Sequence, residues 1–266
     1  MGLRPNEHTV VLLDELDEVF RTDSRDIAIQ LRNIIESETR ISWIAASTML
    51  VKASVGKYGS PWFNLLEPIE MRNMDWASAY QLVLRLGKRV GFDWTESAVT
   101  AILELSGRRP YLMQLLGVRT TDGLNILGRS RVESSDVSAA VNQLVGEISL
   151  TGTYLGFVWN EAQWLGKLML WHILNAADPL RAVDLERRVR QLMTKQGMAL
   201  NNDRFYAAFD ERLAWLTDIA DALEIDSGNH VIFSIPLVKR YLERVVQREQ
   251  DFLRRATAGL EAELKE

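Results

Sequence analysis

The chain has 266 residues, 47% of them apolar and 25% charged, which suits one large globular domain or two small ones. It has no cysteine, which excludes disulfides, thiolate metal sites and cysteine nucleophiles, and its net charge of −5 argues against binding nucleic acid mainly through phosphate neutralisation. No apolar run reaches the ~18 residues of a membrane span and the amino terminus lacks a signal core, so a cytoplasmic protein without membrane contacts is expected.

The first predicted element is a short strand, Val10 to Leu13, which ends at the acid pair Asp14 and Glu15. An uninterrupted apolar run is typical of a strand buried on both faces of a parallel sheet. Open α/β sheets bind their ligands at the carboxyl ends of such strands. In phosphoryl transfer one carboxylate there holds Mg²⁺, usually through water, and another orients the attacking water. The alternative is that the acid pair has only a structural role, since such a run before Asp-Glu also occurs by chance.

The next predicted elements continue an α/β pattern. Apolar residues at helical spacing predict a helix from about Arg25 to Glu38. A second strand, Ile41 to Ala46, ends at Ser47 and Thr48, a pair that is also typical of a turn or helix cap. A last short strand is predicted at about Pro68 to Met71.

A helical region follows. Asp75 and Thr95 are predicted N-caps, and Gly107 and Pro110 punctuate two successive helices, since glycine ends a helix and proline is tolerated in a first turn. The predicted helices run from about Trp76 to Leu86, Thr95 to Leu105, Pro110 to Leu127 and Ser134 to Glu147.

The last third predicts a different unit. Ser149 to Phe157 contains glycine and threonine breakers and is predicted to be a linker. Three helices and a β-hairpin with the turn Ser227-Gly228-Asn229 then predict a winged helix. The three helices run from about Trp159 to Leu174, Arg181 to Thr194 and Asn201 to Leu216.

The predicted winged helix lacks the basic helix face that DNA recognition needs. Between Glu161 and Arg240 there are ten Lys or Arg and eleven Asp or Glu, a net charge of −1. DNA binding is therefore possible but not favoured, and a surface that packs on protein is expected. Pro236 to Glu266 predicts one long amphipathic helix, either a docking helix or a short coiled coil, and the lack of a strict heptad favours docking.

Three separated motifs resemble those of AAA+ ATPases of the STAND and origin-recognition-like type, which are P-loop NTPases. They are the apolar strand with Asp14-Glu15-Leu16-Asp17, the passage Ser60-Pro61-Trp62-Phe63-Asn64, and Gly107-Arg108-Arg109-Pro110-Tyr111-Leu112. The resemblance runs from Val10 to about Leu242.

This resemblance implies ATP and Mg²⁺ as cofactors and a role for each motif. Asp14 would be the magnesium-site acid and Glu15 the catalytic base, as in a Walker B motif. Ser47 or Thr48 would be sensor 1, which contacts the γ-phosphate or the attacking water. Gly107, Arg109 and Pro110 would face the nucleotide in place of a sensor 2 arginine.

The phosphate-binding loop of such ATPases, Gly-x-x-x-x-Gly-Lys-Ser/Thr, does not occur in the sequence. Gly-Lys pairs stand at positions 56, 87 and 166, but Tyr58, Arg89 or Leu168 follows them. We therefore expect a truncated module, or one completed by another chain, that is inactive alone. An unpaired apolar strand edge would favour self-association or a protein partner.

The predicted fold is a remnant of an α/β P-loop NTPase core, then an all-α lid, then a winged helix, and it is mostly α overall. The predicted boundaries are 1–72 for the core, 73–148 for the lid, 149–157 for the linker, 158–242 for the winged helix and 243–266 for the last helix. The predicted function is a nucleotide-dependent regulatory switch in signal transduction. The alternative is a non-enzymatic winged-helix adaptor or a DNA-binding transcription regulator.

Overall fold

A computed structural model of the chain describes residues 8–16, 25–47, 60–67, 69, 71, 73–147, 154–198, 201–248 and 251–263. The chain divides into two compact units, Met1–Met71 and Arg72–Glu266. The described residues are mostly helical, and their strands form small sheets. In the part of the chain that is described, no helix has both the length and the apolar character needed to cross a membrane.

The first unit contains two paired parallel strands, and a helix lies between them in the sequence. Strand β1 is Thr9–Leu13, helix α1 is Arg25–Ser37 and strand β2 is Ile41–Ala45. The register pairs Thr9 with Ile41 and Leu13 with Ala45. Both predicted strands are therefore confirmed, and so is the helix that connects them.

The core of this unit lies on one face of the strand pair. Leu16, Ala28 and Trp62 are buried, and Arg32 Nη1 donates hydrogen bonds to the carbonyls of Pro61 at 2.8 Å and Phe63 at 3.1 Å. The other face is open. Its apolar side chains are exposed, at 55% for Val10, 73% for Leu12 and 59% for Ile44. The prediction that β1 is buried on both faces is wrong, because alternate side chains of a strand point to opposite faces and only one face is covered.

The predicted third strand is not formed at the residues that can be described. Ile69 and Met71 lie outside any strand and are almost fully exposed. Pro68 and Glu70 lie outside the described residues.

The second unit begins with four helices and two very short strands. Asp75 accepts a hydrogen bond from the Ser78 amide at 2.9 Å and Thr95 accepts one from the Ala98 amide at 3.3 Å, so both predicted N-caps are confirmed. The elements are α2 Trp76–Arg89, β3 Asp93–Trp94, α3 Glu96–Ser106, α4 Pro110–Ile126, β4 Arg131–Val132 and α5 Ser134–Gly146, with β3 and β4 parallel. The N-cap of α5 is Glu133, which forms a capping box with Asp136.

The described residues of the remainder of this unit form six helices, a π-helical turn and an antiparallel three-stranded sheet of order β5-β7-β6. The elements are α6 Tyr154–Glu161, α7 Gln163–Leu174, β5 Leu180–Arg181, α8 Ala182–Lys195, α9 Asn202–Ala214, the π-helix Trp215–Ile219, β6 Leu223–Ile225, β7 His230–Phe233, α10 Pro236–Arg248 and α11 Phe252–Glu263. The predicted hairpin is β6 and β7, paired from Leu223 with Phe233 to Ile225 with Val231.

Three sequence predictions in this part need correction. Tyr154 to Phe157 are helical rather than linker, and residues 148–153 lie outside the described part of the chain. The helix predicted from Trp159 breaks at Gln163, whose φ is +53°. The long helix predicted from Pro236 is two helices, with Asp251 at φ +62° before the second.

One continuous core runs through the second unit. Helix α10 packs on α3 and α5 and also on α6 and α7. Its side chains Leu237, Val238 and Leu242 are fully buried. The helix after the hairpin therefore joins the first helices of the unit to the later ones.

Candidate functional site

The acid pair lies in a tight turn directly after β1. Asp14 and Glu15 are exposed, and the Glu15 amide donates a hydrogen bond to Asp14 Oδ1 at 3.0 Å. Glu15 has φ +52°, a left-handed conformation that costs a non-glycine residue on the order of 1 kcal/mol. The turn allows Leu16 to point back into the core, where it is buried. The chain thus anchors both sides of the pair and leaves the carboxylates in solvent.

The ends of the two strands are tied together at this turn. The Ala46 amide donates to the Leu13 carbonyl at 2.8 Å, and the Leu16 amide donates to the Ala46 carbonyl at 3.0 Å. Ser47 is the next residue after Ala46 and is exposed. The structure therefore brings Ser47 to the carboxyl end of the strand pair, where Asp14 and Glu15 also lie. Thr48, the other sensor 1 candidate, lies outside the described residues.

The donor set at this edge limits which metal could bind. Among the described residues, no group of three or more His, Asp or Glu side chains converges as a metal site. Asp14 and Glu15 supply two carboxylates, and the described residues add no third His, Asp or Glu to them. Mg²⁺ in phosphoryl-transfer sites uses one or two carboxylates, with phosphate oxygens and water completing the octahedron. The residues present fit that mode of binding.

The second predicted group is the turn from Gly107 to Pro110. Gly107 ends α3 in the left-handed conformation, at φ +59°, and Pro110 is the first residue of α4. An ideal Cβ on Gly107 would lie 3.3 Å from the Ser234 carbonyl oxygen, so the turn packs closely on the end of the hairpin. Arg108 Nε donates to the Met74 carbonyl at 3.0 Å. The predicted helix punctuation is confirmed, and the turn is held on two sides.

Arg109 is engaged within the protein. Its guanidinium donates to the Asp221 carbonyl at 3.0 Å, forms an ion pair with the Asp221 carboxylate and lies 5.6 Å from the centre of the Tyr154 ring. Only 18% of the side chain is exposed. Burial lowers the pKa of Arg109, and burial raises the pKa of Tyr154 to about 12 although the arginine opposes this shift.

Asp221 is the centre of this contact. Its main-chain carbonyl also accepts hydrogen bonds from the Ser234 hydroxyl at 2.6 Å and from the Tyr154 hydroxyl at 3.4 Å. The Tyr154 hydroxyl also donates to the Ala220 carbonyl at 2.7 Å. Asp221 has φ +46°. Sequence reasoning missed Tyr154, Asp221 and Ser234, because nothing local marks residues that meet Arg109 only through the tertiary fold.

The structure therefore holds the predicted residues as two groups, one in each unit. The carboxyl end of the strand pair carries Asp14, Glu15 and Ser47. One turn contains Gly107, Arg109 and Pro110. Pro110 and the following Tyr111 are exposed. That the two groups line one nucleotide cleft stays a prediction.

Comparison with known proteins places the fold. No protein-family model matches the chain, and no curated protein sequence matches it. The structure is similar to the Walker-type ATPase PABY2304 of Pyrococcus abyssi, with a TM-score of 0.62 and 14% sequence identity over 89% of this chain. This chain spans 63% of the length of that ATPase. A variant of RuvB from Thermotoga maritima matches with a TM-score of 0.48 and 14% identity, over 85% of this chain and 68% of that one. At 14% identity the likeness to the Pyrococcus abyssi protein concerns the fold alone.

Proposed function

We propose that the chain is part of a regulatory AAA+ ATPase of the STAND or origin-recognition-like type, a nucleotide-dependent switch. In this proposal Asp14 holds Mg²⁺ of ATP·Mg²⁺ through water, and Glu15 orients the water that attacks the γ-phosphate. Ser47 or Thr48 contacts that phosphate or water. The observation that carries the proposal is the acid pair at the carboxyl end of a parallel strand, tied through Ala46 to the end of the neighbouring strand.

The open face of the strand pair supports an incomplete core. Parallel strands in α/β proteins are covered on both faces, whereas Val10, Leu12 and Ile44 are more than half exposed here. The sequence also contains no phosphate-binding loop. The proposal therefore requires a further polypeptide segment, in the same chain or in a partner, that brings this loop and covers the face. Without that segment, the 266-residue chain is expected not to hydrolyse ATP.

The second unit supports a lid followed by a winged helix. Helix α7, strand β5, helices α8 and α9, and the hairpin β6–β7 follow one another in the order of a winged-helix domain. Two of the arginines that could form a basic surface are engaged within the protein. Arg190 donates to Tyr206 and Asn202, and Arg212 contacts Gln163 and the Trp215 ring. These contacts favour a domain that packs on protein over one that binds DNA.

ATP titration tests the proposal. ATP·Mg²⁺ is titrated into this chain and into a version extended at its amino end. The extension has about 150 residues, the size of a domain, and contains the phosphate-binding loop that the proposal requires. The extended protein is expected to bind and hydrolyse ATP, and the chain alone is expected to do neither. If the extended protein shows no binding, the proposal is wrong.

Variants of the extended protein test the residue roles. Asp14→Asn and Glu15→Gln are expected to lower hydrolysis at least about 100-fold, the size of effect that loss of a catalytic acid or base gives. The matched control is Glu38→Gln, which removes an exposed carboxylate that follows α1. Unchanged hydrolysis in Asp14→Asn would remove the role assigned to that residue.

A further inference from the structure

We propose that the contact between Arg109 and Asp221 is a conformational latch. Closed, as in this structure, it fastens the turn at the start of α4 to the base of the β6–β7 hairpin. Open, it releases the hairpin base while the rest of the second unit stays folded. The latch consists of Arg109, Tyr154, Asp221 and Ser234. The trigger that we assign to it, nucleotide binding, rests on the proposed function, but the latch itself does not.

The closed state is held by several bonds that converge on one residue. The Asp221 carbonyl accepts hydrogen bonds from Arg109, Tyr154 and Ser234, and the Asp221 carboxylate pairs with the Arg109 guanidinium. Tyr154 lies in α6 and Ser234 directly after β7. One residue thus collects donors from three separate parts of the unit, so its position depends on all of them.

Both sides of the contact are in backbone conformations that favour opening. Arg108, next to Arg109, has φ +59°, and Asp221 has φ +46°. Neither is glycine, and such conformations persist only where the surroundings impose them. The π-helix Trp215–Ile219 lies just before Asp221, and single π-helical turns are frequent at functional sites. Loss of the Arg109 contact would allow the Asp221 backbone to relax.

The closed state also contains a buried hydrogen-bond donor that is not satisfied. Arg109 Nε is buried and has no hydrogen-bond partner among the described residues. A buried donor without an acceptor destabilises the state that contains it, because the donor has lost its water. The closed state is therefore less stable than its number of contacts suggests.

The hairpin base is the part that opening would free. The Ala222 amide donates to the Leu216 carbonyl at 3.0 Å, and the Ser234 amide donates to the Ala222 carbonyl at 3.1 Å. Both bonds flank Asp221. Helix α10 remains anchored by the fully buried Leu237 and Leu242, so opening is local and does not separate the unit. On the other side, Arg109 precedes Pro110, which the resemblance to AAA+ ATPases assigns to the nucleotide. A ligand that moves this turn would withdraw Arg109 from Asp221.

Hydrogen exchange on the whole chain tests the latch without any nucleotide. Arg109→Gln removes the contacts of the Arg109 guanidinium, whereas Asp221→Asn removes only the charge of the carboxylate and keeps the main-chain carbonyl. We expect exchange at the Ala222 and Ser234 amides to rise about tenfold or more in Arg109→Gln and by less in Asp221→Asn. Exchange at the buried α3 residues Ile102 and Leu103 is expected to stay unchanged.

The matched control is Arg119→Gln, which breaks the 2.9 Å ion pair between Arg119 and Glu147 from the same helix α4. It is expected to leave the Ala222 and Ser234 amides unaffected. If Arg109→Gln does not fold, Tyr154→Phe provides the test, since it removes one hydroxyl and is expected to raise exchange at the same two amides. Unchanged exchange at these amides, or an equal rise in α3, would overturn the latch.

The trigger has its own experiment, on the ATP-binding extended protein. ATP·Mg²⁺ is expected to raise exchange at Ala222 and Ser234, as Arg109→Gln does without it. If ATP binds and these amides do not respond, the assignment of the trigger is wrong. If ATP does not bind at all, the proposed function and this trigger fall together, and the variants alone still decide whether the latch exists.

Discussion

The main-chain amide of Leu16 donates to the Ala46 carbonyl at 3.0 Å, and this bond fixes the acid pair at the edge of the strand pair. Glu15 adopts its left-handed conformation between two restraints, the carboxylate of Asp14 before it and the buried side chain of Leu16 after it. Three consecutive residues therefore combine the two proposed catalytic carboxylates, Asp14 and Glu15, with a buried core side chain, Leu16. A substitution can test each residue separately.

Leu16→Ala is expected to destabilise the first unit by about 2–3 kcal/mol, because Leu16 is one of the three side chains buried in its core among the described residues. Urea unfolding followed by tryptophan fluorescence measures the change, since Trp62 lies in that core. The matched control is Leu12→Ala on the open face, where 73% of the side chain is exposed, and a change below about 0.5 kcal/mol is expected. Equal losses in the two variants would contradict the one-sided core.

Glu15→Gly is expected to separate stability from chemistry. Glycine adopts φ +52° without penalty, so the free energy of unfolding is expected to rise by about 0.5–1 kcal/mol. Hydrolysis by the extended, ATP-binding protein is expected to disappear. Glu15→Gln keeps the strained backbone, so it is expected to lose hydrolysis without gaining stability. A Glu15→Gly variant that is less stable than the parent would show that the turn is not strained.

Features set by local sequence could be predicted. Asp75 and Thr95 cap their helices, and Gly107 and Pro110 punctuate α3 and α4, because each function depends on a few neighbouring residues. The parallel strands and the hairpin followed from apolar runs and turn residues. The three motifs also led to the expectation of an ATPase-like fold, and the structure is similar in fold to a Walker-type ATPase.

Features set by the tertiary fold could not. Tyr154 to Phe157 are helical despite Gly156, because Leu155 is fully buried in the core of the second unit. The break before α11 lies among helix-forming residues, and Asp251 takes φ +62° so that Phe252 can reach the core. Arg109 and Asp221 are 112 positions apart, and no local pattern relates them.

His172 gives a prediction for pH. Burial, together with a smaller effect of the positive charge of Arg188, lowers its pKa to about 4. The unfolded chain, with an ordinary histidine pKa near ~6.5, binds the proton first as pH falls. Stability is therefore fully present above about pH 6.5 and is lost between that value and about pH 4. Because the ring is partly exposed and its charge is screened, the loss is on the order of 1 kcal/mol.

Denaturant unfolding between about pH 7 and pH 5 measures this loss. In His172→Gln, the free energy of unfolding is expected to fall less between these two pH values than it does in the parent. Parallel pH profiles for the parent and His172→Gln would contradict the assignment.

Gly259→Ala is expected to weaken docking of α11 on α7. An ideal Cβ on Gly259 would overlap the indole of Trp164, whose amide donates to Glu263 Oε2 at 2.7 Å. Overpacking of this kind destabilises by about 1–3 kcal/mol. The matched control is Gly123→Ala in α4, where an ideal Cβ meets no atom within 4 Å and a helix gains about 0.5–1 kcal/mol from the substitution. Thermal unfolding is expected to shift in opposite directions for the two variants, and limited proteolysis is expected to cleave α11 faster only in Gly259→Ala. A rise in stability in both variants would mean that α11 does not pack on Trp164.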